Sequence, residues 1–174
     1  MKLPDQFKTM VITLSDRASK GEYEDLSGPA VVQRVSAAME QIGWKSVEET
    51  MIIPDDRREL SALLSEASQS FNLIITTGGT GIGPRDITVD VVKPMLRVEI
   101  PGIMEMIRVK YGTVKPNALL SRGIAGIIGN ALIFTLPGSV RAVNEYLDII
   151  LPMLEHTVYM QYGIDSHGKQ PGHK

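Results

Sequence analysis

The sequence predicts an α/β domain of three layers, with helices on both faces of a mostly parallel sheet, and three observations predict it. Apolar runs alternate with amphipathic segments in the order strand, helix, strand, helix, strand through the first part of the chain. Polar residues suited to ligand binding fall at the carboxyl ends of those runs, where open parallel sheets bind their ligands. At 174 residues and 43% hydrophobic composition the chain has the size and apolar content of one domain with a full core. The expected bounds are a lead over 1–7, the domain over 8–162, and a polar, glycine-containing tail over 163–174 that is expected to be disordered.

The first strand is the run from Thr9 to Asp16, TMVITLSD, which ends in polar residues. The loop RASKGEYEDLSG leads to a helix from about Pro29 to Ile42. Val31, Val32, Val35, Ala38, Met39 and Ile42 recur there at helical spacing, with Pro29 at the first position and Ser27 or Gly28 near the cap. Lys45 to Ile53 is a second strand, weakly alternating. Pro54-Asp55-Asp56 then opens a helix with Leu60, Leu63, Leu64 and Ala67 on one face. Phe71 to Thr76 is the third strand. Right-handed crossovers bring Ser15-Asp16, Pro54-Asp55 and Thr76-Thr77 to one rim of the sheet. Thr88 to Leu96 and Ile103 to Tyr111 read as helices, and Ala131 to Leu136 as another strand followed by a turn at Pro137. A last helix starts near Ser139, a good N-cap, and runs through Val143, Leu147, Ile150, Leu151 and Leu154, with Pro152 expected to kink it.

Composition removes whole classes of chemistry. With Cys at 0 there is no disulfide framework, no thiolate nucleophile and no cysteine-ligated metal. His156, His167 and His173 all lie near the C-terminus, so the body of the domain offers no imidazole as base or ligand. Net charge is −2 and the basic residues are scattered, which gives no footprint for nucleic acid. MKLPDQFK has no apolar signal core and no run approaches a membrane span, so a cytoplasmic location without a membrane partner is expected. What remains is carboxylates, hydroxyls, backbone amides, Lys and Arg. That inventory suits Mg²⁺ bound with substrate phosphates, and phosphoryl or nucleotidyl transfer.

The stretch TTGGTGIGPRD, Thr76 to Asp86, is the densest signal. Gly78, Gly79, Gly81 and Gly83 are free to adopt positive φ and to aim their N–H groups at a phosphate, while Arg85 and Asp86 add a cation and a hard oxygen ligand. Pro84 stands where a P-loop needs Lys, and no G-x-G-x-x-G can be read through the segment. A sharp strand-to-helix reversal explains one or two glycines. It does not explain four beside an Arg-Asp pair.

The segments SDRASKGEYEDLSGPAV, IIPDD, TTGGTGIGPRDIT, PGIMEMIR, ALLSRGIAGI and LPGSVRAV, in this order, resemble the MogA/MoaB-type molybdopterin-binding domain family, which includes the gephyrin-like proteins. The SDRAS opening and the ALLSR block look more like the MogA branch. The resemblance implies a molybdopterin adenylyltransferase: ATP and Mg²⁺ convert molybdopterin to its adenylylated form with release of pyrophosphate, before metal insertion by a MoeA-like partner. Carried over by motif, Asp55 and Asp86 are the carboxylates linked to Mg²⁺ and catalysis. The turn with Thr77, Gly78, Gly79, Thr80 and Gly81, followed by Arg85 and Thr88, and the turn Pro137-Gly138-Ser139 would hold pterin and phosphate. Ser15, Asp16, Ser27 and Gly28 would lie along the same groove. The family also implies a homotrimer.

The chain departs from the family after R-D-x-T, where Val89-Asp90-Val91 replaces Pro-Glu-Ala. Simpler roles stand beside several of these assignments. From spacing alone Asp55 reads equally as an N-cap for a helix from Asp56 to Ser68, Asp86 reads as a cap for the next helix, and Ser139 is a natural N-cap. Arg122 either neutralises phosphate or pairs with a surface carboxylate. Met104 and Met106 read as packing residues and His156 as a helix-surface residue. A non-catalytic molybdopterin carrier and a trimeric interaction module of the same fold are the alternatives to the enzyme.

Overall fold

The register of the strands is what builds the site. In the computed structural model, which describes residues 2–164, six strands form one sheet in the order β2-β1-β3-β6-β5-β4. They are β1 (Phe7–Leu14), β2 (Ser46–Ile53), β3 (Leu73–Thr77), β4 (Val98–Glu99), β5 (Ala125–Ile128) and β6 (Ala131–Leu136). β2, β1, β3 and β6 run parallel, and at one edge β5 pairs antiparallel with β6 and β4 antiparallel with β5. Leu14 pairs with Ile53, Thr13 with Thr77, and Thr77 with Leu136. The carboxyl ends of all four parallel strands therefore lie level, and the turns that follow them share one rim.

Among the described residues six α-helices complete the layers: α1 (Asp16–Ser19), α2 (Ser27–Gln41), α3 (Arg57–Ser70), α4 (Thr88–Val92), α5 (Pro101–Gly112) and α6 (Val140–Gln161). Alternate residues of the central strands feed two cores, because successive strand side chains point to opposite faces. Leu73, Ile75 and Phe134 pack with Val31, Val35, Ile107, Leu147 and Ile150 of α2, α5 and α6. Ile74, Ile133 and Ile12 pack with Leu60, Leu64 and Val92 of α3 and α4 on the other face. Each such leucine or isoleucine contributes about 1.5–3 kcal/mol by burial.

Most expected elements are present, with corrected bounds. The first strand stops at Leu14, because Ser15 Oγ accepts from Ala18 N at 3.1 Å and so starts the short helix α1 at Asp16. α2 begins at Ser27, and the side chain that receives its first amides is Asp25 rather than Ser27 or Gly28. Asp56, not Asp55, caps α3, accepting from Arg58 N and Glu59 N at 2.8 and 2.9 Å. The helix expected over Thr88 to Leu96 is shorter. α4 ends at Val92 and a 3-10 turn, Lys93–Met95, follows around Pro94. β4, β5 and the 3-10 turn Pro116–Leu120 have no counterpart in the sequence reading. α6 runs through Pro152 as one element, and Ser139 caps it as expected through Ala142 N. Gly163 and Ile164, assigned to the tail, instead close α6: at φ 65° Gly163 donates to Met160 O, and Ile164 N donates to Tyr159 O. The disorder expected beyond them falls on residues 165–174, outside the described residues.

Candidate active site at the carboxyl rim of the sheet

The turn after β1 and the turn after β2 are locked together through two carboxylates. Asp55 N donates to Asp16 Oδ1 at 3.1 Å, and Asp16 N donates to Asp55 Oδ2 at 3.4 Å. Arg85 reaches over from the loop after β3 and grips Asp16 in bidentate fashion, with Nε to Oδ2 at 3.0 Å and Nη2 to Oδ1 at 2.7 Å. The two acids titrate in opposite directions as a result. The Arg85 guanidinium holds the Asp16 carboxyl below the usual carboxylate range. Burial, together with the negative charges of Asp16 and Asp86, pushes Asp55 up. Asp55 is thus relieved of capping and left with surplus negative charge around it.

Of the four glycines of the loop that are free to adopt positive φ, two use that freedom. Only Gly78 (φ 101°) and Gly79 (φ 65°) have positive φ. A side chain on Gly78 would collide with Leu14 O, and one on Gly79 with Thr88 Oγ1. Gly81 and Gly83 are small for another reason: the Asp86 carboxylate folds back beneath them, and a Cβ there would lie 2.7 or 2.9 Å from its Oδ2. Two of the four amides are used internally. Gly78 N donates to Leu136 O at 3.0 Å, and Gly83 N to Asp86 Oδ2 at 2.8 Å. Among the described residues the N–H groups of Gly79, Thr80, Gly81, Gly138 and Ser139, all of which line the first rim cavity described below, have no protein acceptor and are available to an anion. Thr88 is fully buried and donates its hydroxyl to Gly78 O at 2.8 Å, bracing the loop from beneath.

Arg122 organises the same loop. Its Nε donates to Gly81 O and its Nη2 to Asp86 O, both at 2.7 Å, while Nη1 meets Asp90 Oδ1 at 2.8 Å. The reading of this arginine as the partner of a surface carboxylate therefore holds. It pairs with Asp90 and also fixes the backbone that carries Asp86.

The turn after β6 divides the rim into two cavities. Thr77 Oγ1 donates to Pro137 O at 3.0 Å, and Gly138 packs against Gly78 so closely that a Cβ would lie 3.4 Å from its Cα. One cavity, of about 350 Å³, lies between this turn, α5 and α6; Gly79, Thr80, Gly81 and Asp86 line one side, and Arg108, Lys115, Arg141, Ser121 and Tyr146 the other. Tyr146 donates to Ser121 Oγ at 2.7 Å, and burial keeps its hydroxyl protonated well into the alkaline range. The second cavity, also about 350 Å³, is lined by Ser15, Arg17, Tyr23, Asp25, Ser27 and Thr77. Gly138 and Ser139 belong to both.

Asp25 anchors the second cavity. It accepts from Thr13 Oγ1 at 2.6 Å, Ser27 N at 2.9 Å, Ser27 Oγ at 2.8 Å and Gly28 N at 3.1 Å. Burial opposes its ionisation, but these donors outweigh it and the carboxyl lies below its ordinary value. Ser27 and Gly28 are both buried, and Gly28 has room for nothing larger beside Thr13 and Asp25. Sequence reasoning did not single out Asp25, Arg108, Lys115, Ser121, Arg141 or Tyr146. For Arg141 the signal was its place next to the Pro137 turn. The others come from elements whose local pattern says only that they are helical or irregular.

A family described as "Probable molybdopterin binding domain" matches residues 10–156. A molybdopterin adenylyltransferase of Pyrococcus furiosus is 41% identical over 159 residues, which covers 88% of this chain and 90% of that one. A gephyrin of Dictyostelium discoideum is 36% identical over 164 residues, covering 90% of this chain but 23% of that protein, so the chain spans only about a quarter of it. The crystal structure of a tungsten cofactor synthesizing protein MoaB from Pyrococcus furiosus superposes with a TM-score of 0.79 at 39% identity, over 91% of this chain and 99% of that one.

Proposed function

The chain belongs to the molybdopterin-binding domain family of molybdenum cofactor biosynthesis, and from that premise we propose that it is a molybdopterin adenylyltransferase using ATP and Mg²⁺. The observation that carries this reading is the pair of cavities meeting at Gly138 and Ser139. Transfer between two phosphorylated substrates requires two compartments whose anionic ends come together, and these two meet at the free amides of Gly138 and Ser139. In the reaction the terminal phosphate oxygen of molybdopterin attacks the α-phosphorus of ATP. A new P–O bond forms, the α–β phosphoanhydride breaks, and pyrophosphate leaves. No protein nucleophile is needed.

The donor set fits a hard cation. Asp55 and Asp86 offer oxygen ligands, and a cation beside Asp55 would offset the burial and the neighbouring negative charges that push it up. Two protein carboxylates suffice for a cation that takes its other ligands from phosphates and water. Asp55 and Asp86 would hold Mg²⁺, which when bound screens the two reacting phosphates from one another. The protein's own groups do the rest. The amides of Gly79 to Gly81 and of Gly138 and Ser139 hold phosphate oxygens, Arg108 supplies positive charge on the α5 side, Lys115 and Arg141 add charge that their shared partner Glu145 partly offsets, and Arg85 keeps Asp16 neutralised.

The same reading includes a homotrimer, delivery of the product to a MoeA-like metal insertase, and a cytoplasmic location. Among the described residues no helix is long and apolar enough to cross a membrane. The carrier alternative drew on Val89-Asp90-Val91. In the fold Val89 and Val91 are buried and Asp90 is paired with Arg122, so the segment is fully integrated. The test is pyrophosphate release from Mg-ATP with and without molybdopterin, with Asp86→Ala as control. Release that needs both molybdopterin and Asp86 supports the enzyme; molybdopterin binding without release supports the carrier.

A further inference from the structure

Asp90 touches two arginines rooted in different turns of the site. Arg122, on one side, holds the carbonyl of Asp86 and the carbonyl of Gly81, both at 2.7 Å, and meets Asp90 Oδ1 at 2.8 Å. Arg57, on the other, is the first residue of α3, two positions after Asp55, and its Nη2 meets Asp90 Oδ2 at 3.4 Å. Asp90 itself sits in α4, whose Val89, Val91 and Val92 are buried in the core. A side chain on a fixed helix therefore joins the turn that carries Asp55 to the loop that carries Asp86.

We propose that Asp90 is a positioning residue that sets the spacing between the Asp55 turn and the Asp86 loop, and through that spacing the affinity of the site for a divalent cation with nucleotide. The proposal rests on the adenylyltransferase reading. The guanidinium of Arg122 is a planar, rigid fork, so turning it would displace both carbonyls it holds. Asp90 fixes that fork in orientation. Its partners Arg57 and Arg122 are 58% and 35% exposed, and Asp90 is 42% exposed, so these ion pairs add little to stability. Their contribution is geometric.

The test uses Mn²⁺ in place of Mg²⁺, titrated by electron paramagnetic resonance into the full chain with α,β-methylene-ATP. For Asp90→Asn, Mn²⁺ affinity should weaken about tenfold, the scale on which supporting groups tune a metal site, while the melting temperature stays within about 2 °C of wild type. Asp90→Glu should recover most of the affinity, and Arg57→Gln should lose it as Asp90→Asn does. Wild-type affinity in either Asp90→Asn or Arg57→Gln overturns the proposal. If Asp90→Asn does not fold, Arg57→Gln decides alone, since it cuts one exposed link and leaves Arg122 paired. Failure of the wild-type protein to bind Mn²⁺ with nucleotide would overturn the adenylyltransferase reading and this proposal with it.

Discussion

Asp16 and Asp55 hold each other by a reciprocal pair of hydrogen bonds in which the amide of each donates to the carboxylate of the other. The pair is chemically unequal, because only Asp16 has a guanidinium on it. One acid carries an arginine and an amide, and its neighbour carries an amide alone.

Asp55→Asn should therefore make the empty protein more stable and the enzyme inactive. The folded pKa of Asp55 is raised by burial and then by Asp16. Below the unfolded value of 3.8 both states are protonated and no penalty exists; above the folded value both are ionised and the folded state bears it fully. The amide keeps the acceptor for Asp16 N and removes the charge. At neutral pH the melting temperature should rise by about 1–3 °C, and the gain should vanish as the pH falls through the folded pKa. Turnover should fall at least about a hundredfold. Thermal melts at pH 3, 5 and 7 check the first expectation; a variant less stable than wild type at pH 7 contradicts it.

Asp86→Ala should abolish turnover and leave molybdopterin binding largely intact. The loop loses one internal acceptor, that of Gly83 N, but its backbone remains held by Arg122 and Thr88. Pyrophosphate release should fall by about 10²–10³. Wild-type activity would remove Asp86 from the chemistry.

Gly79→Ala combines strain with a collision, and a second glycine separates the two. Gly79 and Gly21 share a left-handed backbone at φ 65° and 72°, but a Cβ on Gly21 meets nothing within 4 Å while one on Gly79 runs into Thr88. In urea denaturation Gly21→Ala should cost about 1 kcal/mol and Gly79→Ala about 2–4 kcal/mol, with weaker ligand binding in the second only. Equal costs would mean that Thr88 moves aside freely.

Asp25→Ala removes the acceptor for Thr13, Ser27 and Gly28 at once and should cost about 2–3 kcal/mol. Burial opposes the charge on Asp25, the donors favour it, and the donors win, so its folded pKa lies below 3.8. Its stabilisation is present above that value and is lost as the pH falls toward the folded pKa. The difference in stability between wild type and Asp25→Ala should therefore shrink in that acid window. A difference that is constant from pH 6 down through that window would contradict the assignment.

The parallel half of the fold was legible because its strands are apolar runs closed by turn residues, and Ala131 to Leu136 matched to the residue. The antiparallel edge was not. β4 has two residues and β5 is the glycine-containing AGII, too short to show any period. Asp55, Asp86 and the Pro137 turn were legible from motifs. The division of labour between Asp55 and Asp56 was not, because two adjacent aspartates offer the same cap and only the chain's path decides between them. Asp25 escaped because its cap sits two residues before the helix and is shared with Thr13, 12 residues away, which no local spacing encodes. Asp90 was noticed only as a departure from the family pattern, because its partner Arg122 lies 32 residues away.

The shared wall at Gly138 and Ser139 has a kinetic side. In the proposed reaction the product joins the contents of both cavities, so it keeps the contacts of two ligands while surrendering the freedom of one molecule on binding. Such a species departs slowly. Turnover would then be governed by release rather than by bond making, and a receiving protein that draws the product out of the rim would set the pace.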